Sequence, residues 1–155
     1  MKKIYTLLFS ALFAFGAQAQ EFNFIPSSQE IQKLDNGWYK FNLEGTRFDV
    51  EIQGGKLLKG NIKWFDGAEY SGDLSGRNFS GKGSYKWPDG SKYEGAFKGH
   101  QRHGKGSLTD KDGTKWSGKW KENQKNGKGK IFDANGVVIK EGVWKAGELV
   151  SSKEL

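Results

Sequence analysis

The 155-residue chain has no cysteine, two prolines and one methionine. Without cysteine there can be no disulfide scaffold, thiolate metal site, iron–sulfur cluster or cysteine nucleophile. Two prolines exclude a collagen-like chain or a proline-rich linker. Hydrophobic residues make up only 35 %, below the usual share of a globular domain, so one large aliphatic core is not expected. The apolar run Ile4–Phe15 is too short to span a membrane as a helix, which takes roughly 20 residues. Glycine and aromatic rings are what the chain has in excess. It carries 23 Gly, 6 Trp, 5 Tyr and 11 Phe, and glycine is about twice its average frequency. Rings at this density argue against a disordered segment. Together with glycine they suggest tight turns and ring packing within one small domain.

The first residues have the form of an address. Met1-Lys2-Lys3 is basic, Ile4–Phe15 is apolar and uncharged, and Ala17-Gln18-Ala19 supplies small residues in an A-x-A arrangement. This pattern predicts a secretory signal peptide over residues 1–19, cut before Gln20, and an exported protein, periplasmic or extracellular. The formal charge is +7. Most of it lies in the second half: residues 20–60 hold 5 basic and 6 acidic side chains, residues 61–147 hold 17 and 10.

That second half repeats every 23 residues. Asp66-Gly67, Asp89-Gly90, Asp112-Gly113 and Asn135-Gly136 mark the period. Tyr70, Tyr93 and Trp116 follow it, as do Gly72, Gly95 and Gly118, Leu74, Phe97 and Trp120, and the glycines 81, 104, 127 and 60, 83, 106, 129. A fixed period of this length is the mark of a repeat architecture. Within one unit, Gly83–Trp87 and Lys92–Phe97 alternate apolar and polar, the pattern of half-buried strands. Asp89-Gly90 between them is a hairpin signal. Tyr85, Trp87, Tyr93 and Phe97 then share one face, and Gly95 leaves room there for a ring. Residues such as Lys98 to Gly104 read as glycine-rich connectors between hairpins.

Three hairpins are clear (60–74, 83–97, 106–120) and two are degenerate (37–52, 129–144). The last has one extra residue, which a bulge would absorb. The domain reading is residues 20–36 as an N-terminal segment, 37–147 as the array, clearest over 60–129, and 148–155 as a tail. Ser27-Ser28-Gln29-Glu30 fits a capping box for a short helix, and an irregular tail fits equally. The expected fold is all-β: an elongated, single-layer antiparallel sheet of stacked hairpins.

The unit Gly90-Ser91-Lys92-Tyr93-Glu94-Gly95-Ala96-Phe97-Lys98-Gly99, followed by Arg102-His103-Gly104-Lys105-Gly106, resembles a MORN repeat. Residues 67–83 match through Tyr70, Gly72, Leu74, Gly76, Gly81 and Gly83, and residues 113–129 through Trp116, Gly118, Trp120, Gly127 and Gly129. Departures from the pattern are Glu122 in the place of Gly99, Ser80 and Asn126 in the place of His103, and Leu74 in the place of the ring. The resemblance implies a β-hairpin array used for protein or lipid contact.

Two groups of candidate binding residues follow. Trp64, Tyr70, Trp87, Tyr93, Phe97, Trp116 and Trp120 line one face, either packed on each other or open to a ligand. Lys82, Lys105 and Lys128 form one basic column, Arg102 and Lys125 another, and together they suggest a basic connector edge facing anionic lipid, glycolipid or an acidic protein. Export argues against nucleic acid. His100 and His103 sit in one connector with no third ligand series, so no metal site is expected. No catalytic triad, nucleophile elbow or phosphate loop is present, and no cofactor is implied. The reading is a binding or scaffolding module for protein partners without catalysis, with anionic lipid or glycolipid binding as the alternative.

Overall fold

The computed structural model describes residues 3–4 and 28–153. The remainder of the expected leader, residues 20–27 and the last two residues of the tail lie outside the described residues. The described chain forms one twelve-stranded sheet in which spatial order follows sequence order. Its strands are β1 (Lys3–Ile4), β2 (Gly37–Leu43), β3 (Thr46–Gln53), β4 (Lys56–Lys63), β5 (Glu69–Ser75), β6 (Asn78–Lys86), β7 (Lys92–Lys98), β8 (Gln101–Thr109), β9 (Lys115–Lys121), β10 (Gln124–Phe132), β11 (Val138–Lys145) and β12 (Glu148–Lys153). β1 is parallel to β2, and every later pair is antiparallel. A five-residue helix, α1 (Ser28–Gln32), precedes the sheet. The segment read as a possible helix is thus helical over part of its length, and the segment read as a tail supplies strand β12.

From β4 onward two kinds of turn alternate along the chain. On one rim the Asp-Gly turns are built alike. In Trp87–Ser91, Gly90 N donates to Trp87 O at 3.0 Å and Trp87 N donates to Ser91 O at 2.9 Å. Asp89 Oδ1 accepts from Ser91 N at 2.9 Å, and Asp66 and Asp112 accept from Ala68 N and Thr114 N in the same way. In the fourth turn Asp133 takes the part, accepting from Asn135 N and Val137 N. Within Trp87–Ser91 only Gly90 has positive φ, +91°, as expected of a type I turn closed by a left-handed glycine.

The opposite rim corrects the sequence reading. The stretch read as a connector, Lys98 to Gly104, is the end of β7, a two-residue turn and the start of β8. Gly99-His100, Glu122-Asn123 and Ala146-Gly147 have positive φ at both positions, the signature of type I′ turns. The left-handed Glu122, Asn123 and Ala146 carry no glycine signal. They are held by the neighbouring hairpin instead: His100 N donates to Phe79 O, Asn123 N to Arg102 O and Gly147 N to Lys125 O, at 3.1, 3.1 and 2.9 Å.

The pairing places one glycine per strand in a single row. Gly60, Gly72, Gly83, Gly95, Gly106, Gly118, Gly129 and Gly142 are successive register partners from β4 to β11. The expected extra residue near the C-terminal end is Ile139, bulged between the pairs Ile131↔Lys140 and Phe132↔Val138.

One face of the sheet, here called inner, holds the core. Next to α1 it is mainly aliphatic: Val50, Ile52, Leu57 and Ile62 are buried, with Ile31 of α1 and Leu34 against them. Through the repeats it becomes aromatic, with Tyr70, Phe79, Tyr93, Phe97, Trp116, Trp120 and Trp144. The outer face carries serine and charge.

Candidate functional site

Each repeat lays its ring over the glycine row. A Cβ at Gly95 would come within 2.6 Å of Tyr93 Oη and 2.5 Å of Gly106 Cα, and one at Gly106 would collide with the Tyr93 phenol itself. Gly72 and Gly83 stand in this relation to Tyr70, and Gly118 and Gly129 to Trp116. Gly83, Gly106 and Gly129, on the strand after each ring, therefore make room for rings as well. None of these six has positive φ, so steric space is the reason for glycine here.

The hydroxyl reached by this arrangement has a defined partner. The β7–β8 register shifts between Gly95 and Ala96, and Tyr93 Oη donates to Ala96 O at 2.9 Å. In β5 the register shifts after Gly72, and Tyr70 Oη donates to Asp73 O at 2.6 Å. Burial pushes the Tyr93 phenol up to about 12 and Tyr70 further still. Both stay protonated donors at neutral pH. Trp116 fills the third ring position, but its Nε1 is buried without an acceptor.

The structure separates the two basic columns. Arg102 pairs with Phe97 and Lys125 with Trp120, which places both on the inner face. The Arg102 guanidinium lies 4.4 Å from the Trp120 ring centroid, 5.9 Å from Tyr93 and 5.8 Å from Trp87. It also donates to Asn123 O at 2.9 Å, and burial draws its pKa down. Lys125 Nζ lies 5.5 Å from the Trp116 ring. One period earlier the same position is Phe79, stacked on Tyr70 with centroids 3.8 Å apart. The column Phe79, Arg102, Lys125 covers the repeat ring, once by stacking and twice through a cation on a π face. Sequence grouping by charge missed Phe79. The 23-residue offset was the signal that could have found it.

Five of the seven candidate aromatic residues are consumed by this packing: Tyr70, Tyr93, Phe97, Trp116 and Trp120 are each at most 6 % exposed. Trp64 and Trp87 are half-buried at the rim of the Asp-Gly turns. Tyr85, placed on this face by the alternation but not among the candidate binding residues, stands between them, with centroids 5.8 Å from Trp64 and 4.8 Å from Trp87.

Lys82, Lys105 and Lys128 are exposed on the outer face. At four places this face matches opposite charges across strands: Lys40 with Asp49, Lys59 with Glu51, Lys63 with Glu69 and Lys130 with Glu141. Lys105 instead stands directly opposite Lys119, with Ser107 opposite Ser117 on the next pair along. Lys128 joins them around one shallow groove, with Glu94 on its margin. Like charges directly opposite destabilise a sheet; Lys86 opposite Lys92 is another such pair, but there Glu69 faces Lys86 and Glu94 pairs with Lys92. Lys119, absent from the sequence-based candidates, became visible only through the register.

His100 is tucked against Phe79, with ring centroids 4.6 Å apart. Burial lowers its pKa, and His103 sits on the neighbouring strand. Among the described residues no group of three or more His, Asp or Glu is placed to hold a metal ion. No helix among them is long and apolar enough to cross a membrane.

Residues 70–92, 93–115 and 116–138 each match the family model for the MORN repeat. A search of curated proteins finds no match to the chain. Repeats of this family are in general non-catalytic modules for protein or membrane-lipid contact. Their boundaries start at Tyr70, Tyr93 and Trp116, the three rings laid over glycine, and so the chain carries three consecutive MORN repeats over residues 70–138.

Proposed function

We propose that this protein is an exported MORN-repeat module that binds protein partners and performs no catalysis of its own. One observation carries the reading: the inner-face rings are used up in covering the glycine row, which leaves the flat outer face over β7–β10 as the accessible surface of the repeats. A broad, shallow surface of serine and charge suits a macromolecular partner better than an enclosed small molecule. Export is supported by the basic start, the apolar run and the A-x-A site of residues 1–19. Mass spectrometry of the protein from an envelope fraction should find Gln20 as the first residue, and an intact Met1 would refute the leader. For binding, the purified protein is used to capture partners from envelope extract. A protein retained by the wild type and lost when Ser107 and Ser117 are both replaced by Arg supports the reading, and no such protein refutes it.

A second reading, contact with anionic lipid or glycolipid, is favoured by the unpaired cluster Lys105, Lys119 and Lys128 and by exposed Lys82. Phosphatidylglycerol vesicles should then bind at low salt, release the protein at high salt, and fail to bind the triple Glu variant Lys105→Glu, Lys119→Glu, Lys128→Glu. The Ser107→Arg, Ser117→Arg variant should still bind these vesicles, which separates the two readings.

A further inference from the structure

The last strand leaves the sheet open. β12 pairs only with β11, and all six of its residues are exposed. Of the seven exposed large apolar side chains among the described residues, five lie at this end: Val137, Ile139, Val143, Leu149 and Val150. A bare edge with apolar neighbours is a template for another strand.

The register of β11 and β12 specifies which strand fits. The Ala146-Gly147 turn makes Lys145 and Glu148 its closing pair, and in a two-residue hairpin that pair exchanges its backbone hydrogen bonds. By alternation, Leu149 turns its N–H and C=O away from β11. Val150 is an extra residue, because Val143 faces Ser151 and Trp144 faces Leu149. The bulge shifts the phase, so that Ser152 points its backbone outward and Lys153, opposite Glu141, points inward. The free edge therefore offers backbone groups at Leu149 and Ser152, equally placed about a point between Val150 and Ser151.

The charges have the same symmetry. Along the outer face Lys130 pairs with Glu141 at 2.5 Å and by that hydrogen bond holds its carboxyl below the usual range, and Lys153, which Glu141 also faces, adds to the effect. At the other end of β12, Glu148 faces Lys145. We propose that β12 pairs antiparallel with β12 of a second copy of this chain, about a two-fold axis between Val150 and Ser151. Leu149 then exchanges hydrogen bonds with Ser152 of the second copy, and Lys153 faces Glu148 of the second copy. The row of alternating charge continues unbroken across the joint: Lys130, Glu141, Lys153, then Glu148 and Lys145 of the second copy. A parallel pairing would instead set like charges together. The contact is isologous, so it closes at two copies and joins two arrays end to end.

Sedimentation velocity of the purified protein tests this, with the cysteine-free sequence as an aid. The wild type is expected to pass from monomer to dimer as concentration rises. Lys153→Glu alone and Glu148→Lys alone each create two repulsive pairs in the homodimer and should stay monomeric at the concentration where the wild type is dimeric. An equal mixture of the two restores both attractive pairs and should recover the dimer. Val150→Cys should form an intermolecular disulfide on mild oxidation, while Ser75→Cys, far from the edge, should not; this arm does not depend on the folding of the charge variants. A wild type that is monomeric at every concentration, a single charge variant that remains dimeric, a mixture that fails to dimerise, or a Val150→Cys chain that does not cross-link above the Ser75→Cys background would each overturn the proposal.

Discussion

The two ends of the sheet fill their inner face by different means. Beside α1, strands β2–β4 bury branched aliphatic side chains, Val50, Ile52 and Ile62, and a helix residue, Ile31, closes over them. From β5 onward no helix among the described residues covers the face. There, flat rings lie along the sheet over glycine, each ring edge-on to the next: Tyr93 to Trp120 at 5.4 Å, Trp120 to Trp116 at 4.9 Å, Trp116 to Trp144 at 5.5 Å. A single layer can make a dry core in two ways. It can fold an extra element over itself, or it can use side chains broad enough to be their own cover, on a backbone stripped of Cβ atoms beneath them. The first solution stops at the covering element, whereas the second can be repeated indefinitely.

This difference can be broken at its strongest point by adding one methyl group. Gly106→Ala directs a Cβ into the Tyr93 phenol and should cost about 3 kcal/mol, read as a lowered denaturation midpoint with an unchanged slope. In the aliphatic end the corresponding injury is deletion. Ile62→Ala should cost about 3 kcal/mol by leaving a cavity. Its calorimetric signature should differ from the first, because a repeat array unfolds in nearest-neighbour units. A single transition shared by both variants would show that the two ends form one cooperative unit.

Smaller changes sharpen the contrast. Tyr93→Phe removes the hydrogen bond to Ala96 O and should cost about 1 kcal/mol at neutral pH. It should also alter the alkaline response. The unfolded phenol ionises near pH 10, whereas the folded one holds its proton to about 12. The stabilisation is therefore fully present below pH 10 and is lost as pH rises through that interval. Melting temperatures between pH 10 and 12 should fall less steeply for Tyr93→Phe than for the wild type. An identical slope would remove Tyr93 from the alkaline transition.

Arg102→Ala should cost about 1 kcal/mol through lost contact with Trp120 and Tyr93. Arg102→Phe, which copies Phe79 of the preceding repeat, should recover most of that; a variant no better than Ala would show that charge, and not ring cover, is what the position requires. Gly90→Ala should cost about 1 kcal/mol by strain at positive φ alone, since nothing lies within 4 Å of its added Cβ. The ratio of the Gly106 and Gly90 effects, measured on the same thermal or chemical scale, separates a glycine kept for space from one kept for conformation.

Much of the fold was legible in the residues. Period 2 within strands and period 23 between them are local and additive, and each Asp-Gly turn carries its own hydrogen bonds. The extra residue of the last hairpin was legible because the period exposed it, and the pairing places it at Ile139. The type I′ turns were not legible. In Glu122-Asn123 and Ala146-Gly147 it is the second residue, Asn123 or Gly147, whose N–H donates to a carbonyl of the previous hairpin, a contact made 21 or 22 residues away. Of the candidate sites, the aromatic column was visible as a column but not as a covering layer, since burial depends on which glycines come into register. The basic residues were counted as one edge because their stretch was read as a connector; once it is strand β8, Arg102 and Lys105, three residues apart, alternate to opposite faces.

By itself the sequence determined the all-β hairpin array, its 23-residue step and the turns that close one rim, because alternation and left-handed glycine act within a few residues. Only the tertiary structure decided which glycines lie under rings, which cations are packed and which stand exposed, and how the last strand ends the sheet. Those outcomes depend on cross-strand register, and a shift of one residue would move every side chain to the other face.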